Sequence, residues 1–418
     1  MSKIITLCLI LISLFSFAQN KTEIGSHFIK TLLIDKNAGN AHLFFDKTVS
    51  AQIPVEVLKN LPEQVEGQFG KFKNILQINS ERDIYYFYSE FEKTKMDIQI
   101  SFNGENKIIG FFLSPHKSFE KTDDETALNI KSDNIELKGT LLKSKENNQK
   151  RLVIFVHGSG PQDRDETIGG NRPFKDIAEY LYINGISSYR YDKRTYSNPE
   201  TFNEESTVKE ETINDAVNVA NYFKNNREFK DYQVILLGHS QGAYLMPQIA
   251  NEVKVSKYIF LAGNSRPLQD LILEQFGYIN KLDSSIISDE AFTNIKKEVA
   301  FLNSDQFNLN TKSSALPMGL SAKYWKYLLD YKPLDTVKLI KASMFFAQGG
   351  KDYQVTEVDF NLWKNQLKSN REATFKIYPY LNHLFIKNTS VIPSPKDYEA
   401  EGKVDKVFLD DLKEFVLK

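Results

Sequence analysis

Residues 234–245 read VILLGHSQGAYL: an apolar run from Val234 to Leu237, then Gly238-His239-Ser240-Gln241-Gly242, then the start of a helical pattern continuing through AYLMPQIANEV. Such a run bounded by glycine is what a strand buried on both faces looks like. G-x-S-x-G between a strand and a helix is the context of a nucleophile elbow, in which a serine occupies a strained turn and presents its Oγ at the C-terminal edge of the sheet. The flanking glycines let neighbouring backbones approach where a Cβ would clash. Five residues with two free positions occur by chance. The strand before them and the helix after them favour a nucleophile over a small residue in a tight turn.

A serine hydroxyl is a poor nucleophile until a base takes its proton. Of the six histidines, His27, His42 and His116 lie in the N-terminal region, and His157 and His239 sit in tight loops beside glycines. His383, in YPYLNHLF after the last predicted strand, is left as the base. The orienting carboxylate is read at Asp352, which follows SMFFAQGGK, a strand ending in a Gly-Gly turn; Glu357 and Asp359 are fallbacks on the next helix. The chain order Ser240, Asp352, His383 is the one expected of this architecture. Donors for an oxyanion are the backbone amides of Gln241 and of Ser159, or less readily Gly160, in FVHGSGPQDRD. His157, Asp163, Arg164 and Asp165 are read as bracing that loop. YRYDKR (189–194) is read as structural, with Asp192 and Arg194 pairing with the loop.

Working outward, IELKGTLL, RLVIFVHG, ISSYRYD, QVILLGHS, KYIFLAG, ASMFFAQGG and TFKIYPY alternate with helical stretches, which predicts an α/β fold with a mostly parallel sheet covered on both faces. The alternation stops over about 264–334, a helical insertion placed as a lid; its Tyr324 and Trp325 either line a pocket or pack the lid down. Residues 21–70 carry helical spacing. DIYYFYSEF, MDIQISF and KIIGFFLSP then read as strands with a turn at Asn103 and Gly104. The expected domains are a small α+β domain over 19–117, a linker over 118–130, a charged segment that would also suit a meandering first strand, and a catalytic domain over 131–418.

Lys3 precedes the apolar stretch IITLCLILISLFSFA (4–18), the pattern of a cleaved signal peptide, so the mature chain is expected to be exported, periplasmic or secreted, with no membrane anchor. Cys8, the only cysteine, lies inside that stretch and offers neither a disulfide nor a lipid anchor. The 53 basic and 54 acidic residues leave the 418-residue chain near neutrality with no basic cluster, which argues against nucleic acid as a partner. Metal-ligand spacings, a dinucleotide fingerprint and a phosphate loop are all absent from the sequence, so no cofactor and no metal is expected.

Together, HGSGPQDRDE, YRYDKR and GHSQG resemble the α/β-hydrolase superfamily, and within it the bacterial exported carboxylesterases related to dienelactone hydrolases and serine aminopeptidases. The resemblance covers about 121–418 and implies Ser240 as nucleophile, His383 as base and Asp352 as its orienter. Ala243 stands where related elbows often carry glycine. Residues 20–117 resemble a small cystatin-like domain of unknown function. The function expected is a serine carboxylesterase acting on small-molecule esters, the alternatives being a peptidase or acyltransferase with the same triad, or an inactive ligand-binding protein.

Overall fold

The computed structural model describes residues 21–81, 84–114, 116 and 124–418. The expected signal peptide, residues 1–18, lies outside the described residues. The chain divides into two compact units, Met1–Glu120 and Lys121–Lys418.

The first unit opens with helix α1 over residues 21–34, whose last turn, Lys30–Ile34, widens to a π-helix. α2 (Ala38–His42), α3 (Lys47–Gln52) and α4 (Val55–Phe69) follow; Asn37 and Asp46 cap α2 and α3 by accepting the amides of Asn40 and Val49. Strands β1 (Phe72–Glu81), β2 (Ile84–Phe91), β3 (Lys95–Phe102) and β4 (Ile108–Ser114) form an antiparallel sheet in that order. Alternate residues Phe87, Phe91, Ile98, Ile100 and Phe102 face the helices and bury against Phe28, Leu32 and Leu58. The sequence reading contains no strand over β1. Lys73, Asn74, Gln77 and Asn79 interrupt its apolar alternation, and pairing with β2 is what makes it a strand.

In the second unit, β5 (Glu125–Ala127) is the first strand, so of the two readings of this segment, linker or meandering first strand, its second half takes the strand. With three residues it has no readable period; it forms because the edge of β8 (Gly139–Leu142) offers hydrogen-bonding partners. The hairpin β6 (Ile130–Ser132) and β7 (Ile135–Leu137) separates the two, so the single strand read in IELKGTLL is broken at Lys138 into β7 and β8. Then come β9 (Arg151–Val156), α5 (Pro173–Ile183), β10 (Ser187–Tyr191), the single turn α6 (Arg194–Ser197), α7 (Asn214–Asn225), β11 (Gln233–His239), α8 (Gln241–Glu252) and β12 (Lys257–Leu261). The insertion contributes α9 (Leu268–Leu282), α10 (Asp289–Leu302), α11 (Ala322–Asp330) and α12 (Pro333–Thr336). The chain ends with β13 (Ser343–Gly349), α13 (Glu357–Gln366), β14 (Ala373–Tyr378) and α14 (Lys406–Leu417).

The eight-stranded sheet runs β14-β13-β12-β11-β9-β10-β8-β5, parallel from β14 to β10, with β8 antiparallel to β10 and β5 antiparallel to β8. This is the α/β-hydrolase fold. Successive strand residues feed opposite faces. Leu152, Ile154 and Val156 pack towards Val219, Leu245 and Trp363, while Val153 and Phe155 pack towards Phe174, Leu181 and Phe408. Because β9 and β11 are neighbours although β10 lies between them in sequence, the loops leaving their C-terminal ends stand side by side at a switch point in strand order.

Candidate active site

Ser240 joins β11 to α8 with φ 51° and ψ −115°, a left-handed conformation that costs an L-residue on the order of 1–3 kcal/mol. Two bonds hold it there: its N–H donates to Leu261 O at 2.9 Å, and its carbonyl accepts the N–H of Tyr244 at 2.9 Å. A Cβ on Gly242 would lie 2.3 Å from Val156 O and 2.7 Å from His157 O, so only glycine lets α8 start this close to the end of β9.

Asp352 follows β13, and His383 lies in the loop after β14, so the structure carries both to the sheet edge that bears Ser240. His383 Nδ1 is 2.7 Å from Asp352 Oδ2. An ionised carboxylate only accepts, so Nδ1 carries the proton and Nε2 is the basic nitrogen. Asp352 is itself held by the amides of Gln354 and Val355 on Oδ1, at 2.8 and 2.9 Å, and by Gln348 Nε2 on Oδ2 at 3.0 Å. The fallback carboxylates play other parts: Asp359 is fully buried and ion-paired with Arg266 at the start of the lid, and Glu357 opens α13.

His239 has a defined position. Its Nε2–H donates to the backbone carbonyl of His383 at 2.9 Å, and its Nδ1 is ion-paired with Glu166 Oε2 at 2.9 Å. Burial works against charge on both groups. The attraction between them prevails, raising the His239 pKa and lowering that of Glu166. Glu166 also accepts the Gly158 N–H on Oε1 at 2.6 Å. The residue preceding Ser240 is thereby tied to the loop that bears His383 and, through Glu166, to the loop after β9. His157 is buried and neutral: its Nε2–H donates to Asp163 O at 3.1 Å, and burial, assisted by the Lys193 cation, pushes its pKa down to about 4.

The bracing expected of that loop is present. Asp163 accepts the amides of Asp165 and Thr167, Arg164 pairs with Asp192 at 2.9 Å, and Asp165 pairs with Arg190. Arg194 does not join it: it pairs with Asp215 on α7 and with Asp133 in the β6–β7 turn, because the turn at α6 carries it away from the loop. Glu166 and Glu211 were given no role by the sequence, and Lys193 was read only as part of the structural YRYDKR stretch. Lys193 Nζ, 2% exposed, donates to Gly158 O at 2.8 Å, Glu211 Oε1 at 2.5 Å and Gln241 Oε1 at 3.1 Å. Tyr324 of the lid completes the cluster, donating to Glu211 Oε2 and accepting from Gln241 Nε2 at 2.9 Å.

A cavity of about 490 Å³ opens over Ser240. Ser159, Gly160 and Pro161 form one wall, Ser240, Gln241 and Glu211 a polar floor, and Leu268, Leu271, Ile272, Phe276, Leu320 and Leu328 an apolar lid. The structure separates the two lid aromatics: Tyr324 reaches the cavity, whereas Trp325 is fully buried and donates its Nε1–H to Pro317 O at 3.1 Å. Gln241 is the first residue of α8, so its amide has no intrahelical acceptor and is free to meet an oxyanion. Ser159, the expected source of the second amide, lines the same cavity. The arrangement has the parts that acyl transfer requires.

Residues 26–111 match a family described as a protein of unknown function, DUF3887. Over 402 residues, 92% of this chain and 93% of the relative, the sequence is 30% identical to Esterase EstD of Thermotoga maritima. Among solved structures, Est1E of Butyrivibrio proteoclasticus with ferulic acid bound is 18% identical, with 70% of this chain and 98% of that chain covered and a TM-score of 0.46. The acylaminoacyl peptidase of Pyrococcus horikoshii is 16% identical, with 83% and 56% covered and a TM-score of 0.45.

Proposed function

The chain belongs to the esterase family of α/β-hydrolases that includes Esterase EstD, and on that premise we propose that it is an exported serine carboxylesterase cleaving small esters through an acyl-enzyme on Ser240. The observation that carries the reading is the strained Ser240 in the polar floor of a 490 Å³ cavity that is otherwise largely apolar, at the sheet edge that also bears the His383–Asp352 pair. In the first half-reaction Ser240 Oγ attacks the ester carbonyl carbon while His383 Nε2 takes the hydroxyl proton. The negative oxygen of the tetrahedral adduct is met by the Gln241 and Ser159 amides. Collapse breaks the bond to the alcohol oxygen, which leaves with the proton from His383. Water then attacks the acyl-enzyme, gives a proton to His383, and the acid departs as that proton returns to Ser240. The apolar walls and the cavity volume suit a small acyl or aryl ester.

A fluorophosphonate probe and a nitrophenyl ester series test this on wild type and Ser240→Ala. Wild type is expected to be labelled stoichiometrically and to turn over the acetate, and the variant to do neither. Labelling that persists in the variant rejects Ser240 as nucleophile; wild type inert to both reagents rejects the esterase reading. Export is checked by the N-terminus of the protein recovered from the native cell envelope or medium, expected just after Ala18.

A further inference from the structure

We infer that Lys193 is a positioning residue for the oxyanion site, orienting and polarising the peptide that presents the Ser159 amide; the inference rests on the Ser240 acyl-enzyme reading. The carbonyl of Gly158 and the N–H of Ser159 belong to one planar trans peptide and point in opposite directions. Lys193 Nζ is 2.8 Å from that carbonyl, so fixing the oxygen on the lysine side turns the Ser159 N–H away from it. The preceding peptide is fixed as well, because the Gly158 N–H is held by Glu166. This loop lies directly against the nucleophile: a Cβ on Gly158 would be 3.3 Å from Ser240 Cβ.

The cation adds a second effect. A charge-assisted bond to a carbonyl draws electron density from the peptide and strengthens its N–H as a donor, and the buried setting leaves that effect unscreened by water. The same ammonium also donates to the side chain of Gln241, whose amide is the other oxyanion donor. All three of its protons are thus committed, to Gly158, Gln241 and Glu211. Glu211 keeps the charge compensated in a place where a lone cation would be costly.

Lys193→Met in a Glu211→Gln background removes the cation without stranding the carboxylate, and is compared with Glu211→Gln alone. Loss of an oxyanion donor costs on the order of 10²–10³ in kcat, so a misdirected and weakened one is expected to cost roughly 10–100-fold, with KM for the nitrophenyl ester within about threefold. Affinity for a trifluoromethyl ketone, which forms the tetrahedral adduct, should fall by the same factor, while inhibition by the product acid stays put. Thermal melting establishes that the variants are folded. Lys193→Gln in the same background keeps a neutral donor and should recover part of the loss; it carries the test if the methionine variant does not fold. Folded variants with unchanged kcat, or with ketone and product affinity reduced alike, overturn the inference. If Ser240→Ala retains turnover, the acyl-enzyme reading fails and takes this inference with it; if Ser240→Ala is inactive and the Lys193 variants are not impaired, only the inference fails.

Discussion

Ser240 sits in a backbone conformation that its neighbours make possible, and the cost of disturbing them is local and steric. Gly242→Ala would force a Cβ to 2.3 Å from a backbone oxygen that cannot swing aside, and should destabilise the protein by about 3 kcal/mol or prevent soluble expression, as read by thermal melting. Asp352→Asn keeps the size of the side chain but not the charge that holds the His383 tautomer. It is expected to lower kcat on the order of 10⁴-fold with KM little changed, measured by ester hydrolysis at fixed pH. Ser240, Asp352 and His383 were legible because each ends or follows an apolar run, so sequence alone places them on one edge of a sheet. Glu166, Lys193 and Glu211 were not. Charged side chains default to solvent, and the Lys193–Glu211 and Lys193–Gly158 contacts join positions 18 and 35 residues apart on elements whose packing no local pattern announces.

Among the elements, the insertion is tied to α13 just before α9 begins. Asp359 of α13, fully buried, accepts the amides of Ser265 and Arg266 at 2.8 and 2.9 Å and pairs with the Arg266 guanidinium at 2.7 Å. Arg266 is part-exposed and also pairs with Glu274, so removing the Asp359 charge costs less than the roughly 3–5 kcal/mol of a fully buried pair. Asp359→Asn is therefore expected to lower the melting temperature and, by loosening α9 over the cavity, to raise KM more than it lowers kcat; steady-state kinetics beside calorimetry read the two effects. Periodicity displayed the parallel strands and helices because their apolar residues are dictated by burial. It missed β1, whose residues are too polar to carry a period, and left β5 undecided between linker and strand because three residues carry none; both become strands through partners supplied by β2 and β8.

At the scale of the whole molecule, each unit has its own apolar core. The stability of the second depends on a histidine kept neutral in the interior. His157 has its pKa pushed to about 4 against an ordinary 6.5, so below 6.5 the unfolded chain binds a proton that the folded chain refuses. Its share of stability is full above about pH 6.5, is lost as pH falls, and is gone by about pH 4, a loss of about 3 kcal/mol. The Glu166–His239 pair bounds the same range. The lowered Glu166 pKa gives a contribution present above its ordinary 4.5 and lost as pH falls below it, and the raised His239 pKa one present below 6.5 and lost as pH rises through the folded value. Melting temperature should therefore decline from about pH 6.5 to 4, and His157→Gln, which retains a donor to Asp163 O, should flatten that decline while lowering the starting value. The sequence by itself determined the strand–helix alternation, the strand–turn–helix at Ser240 and the order of Ser240, Asp352 and His383 along the sheet edge, because burial and backbone sterics write these into neighbouring residues. Only the tertiary structure decided that a buried lysine and two buried glutamates stand behind the elbow, because a charge can be buried only where distant segments supply its partners.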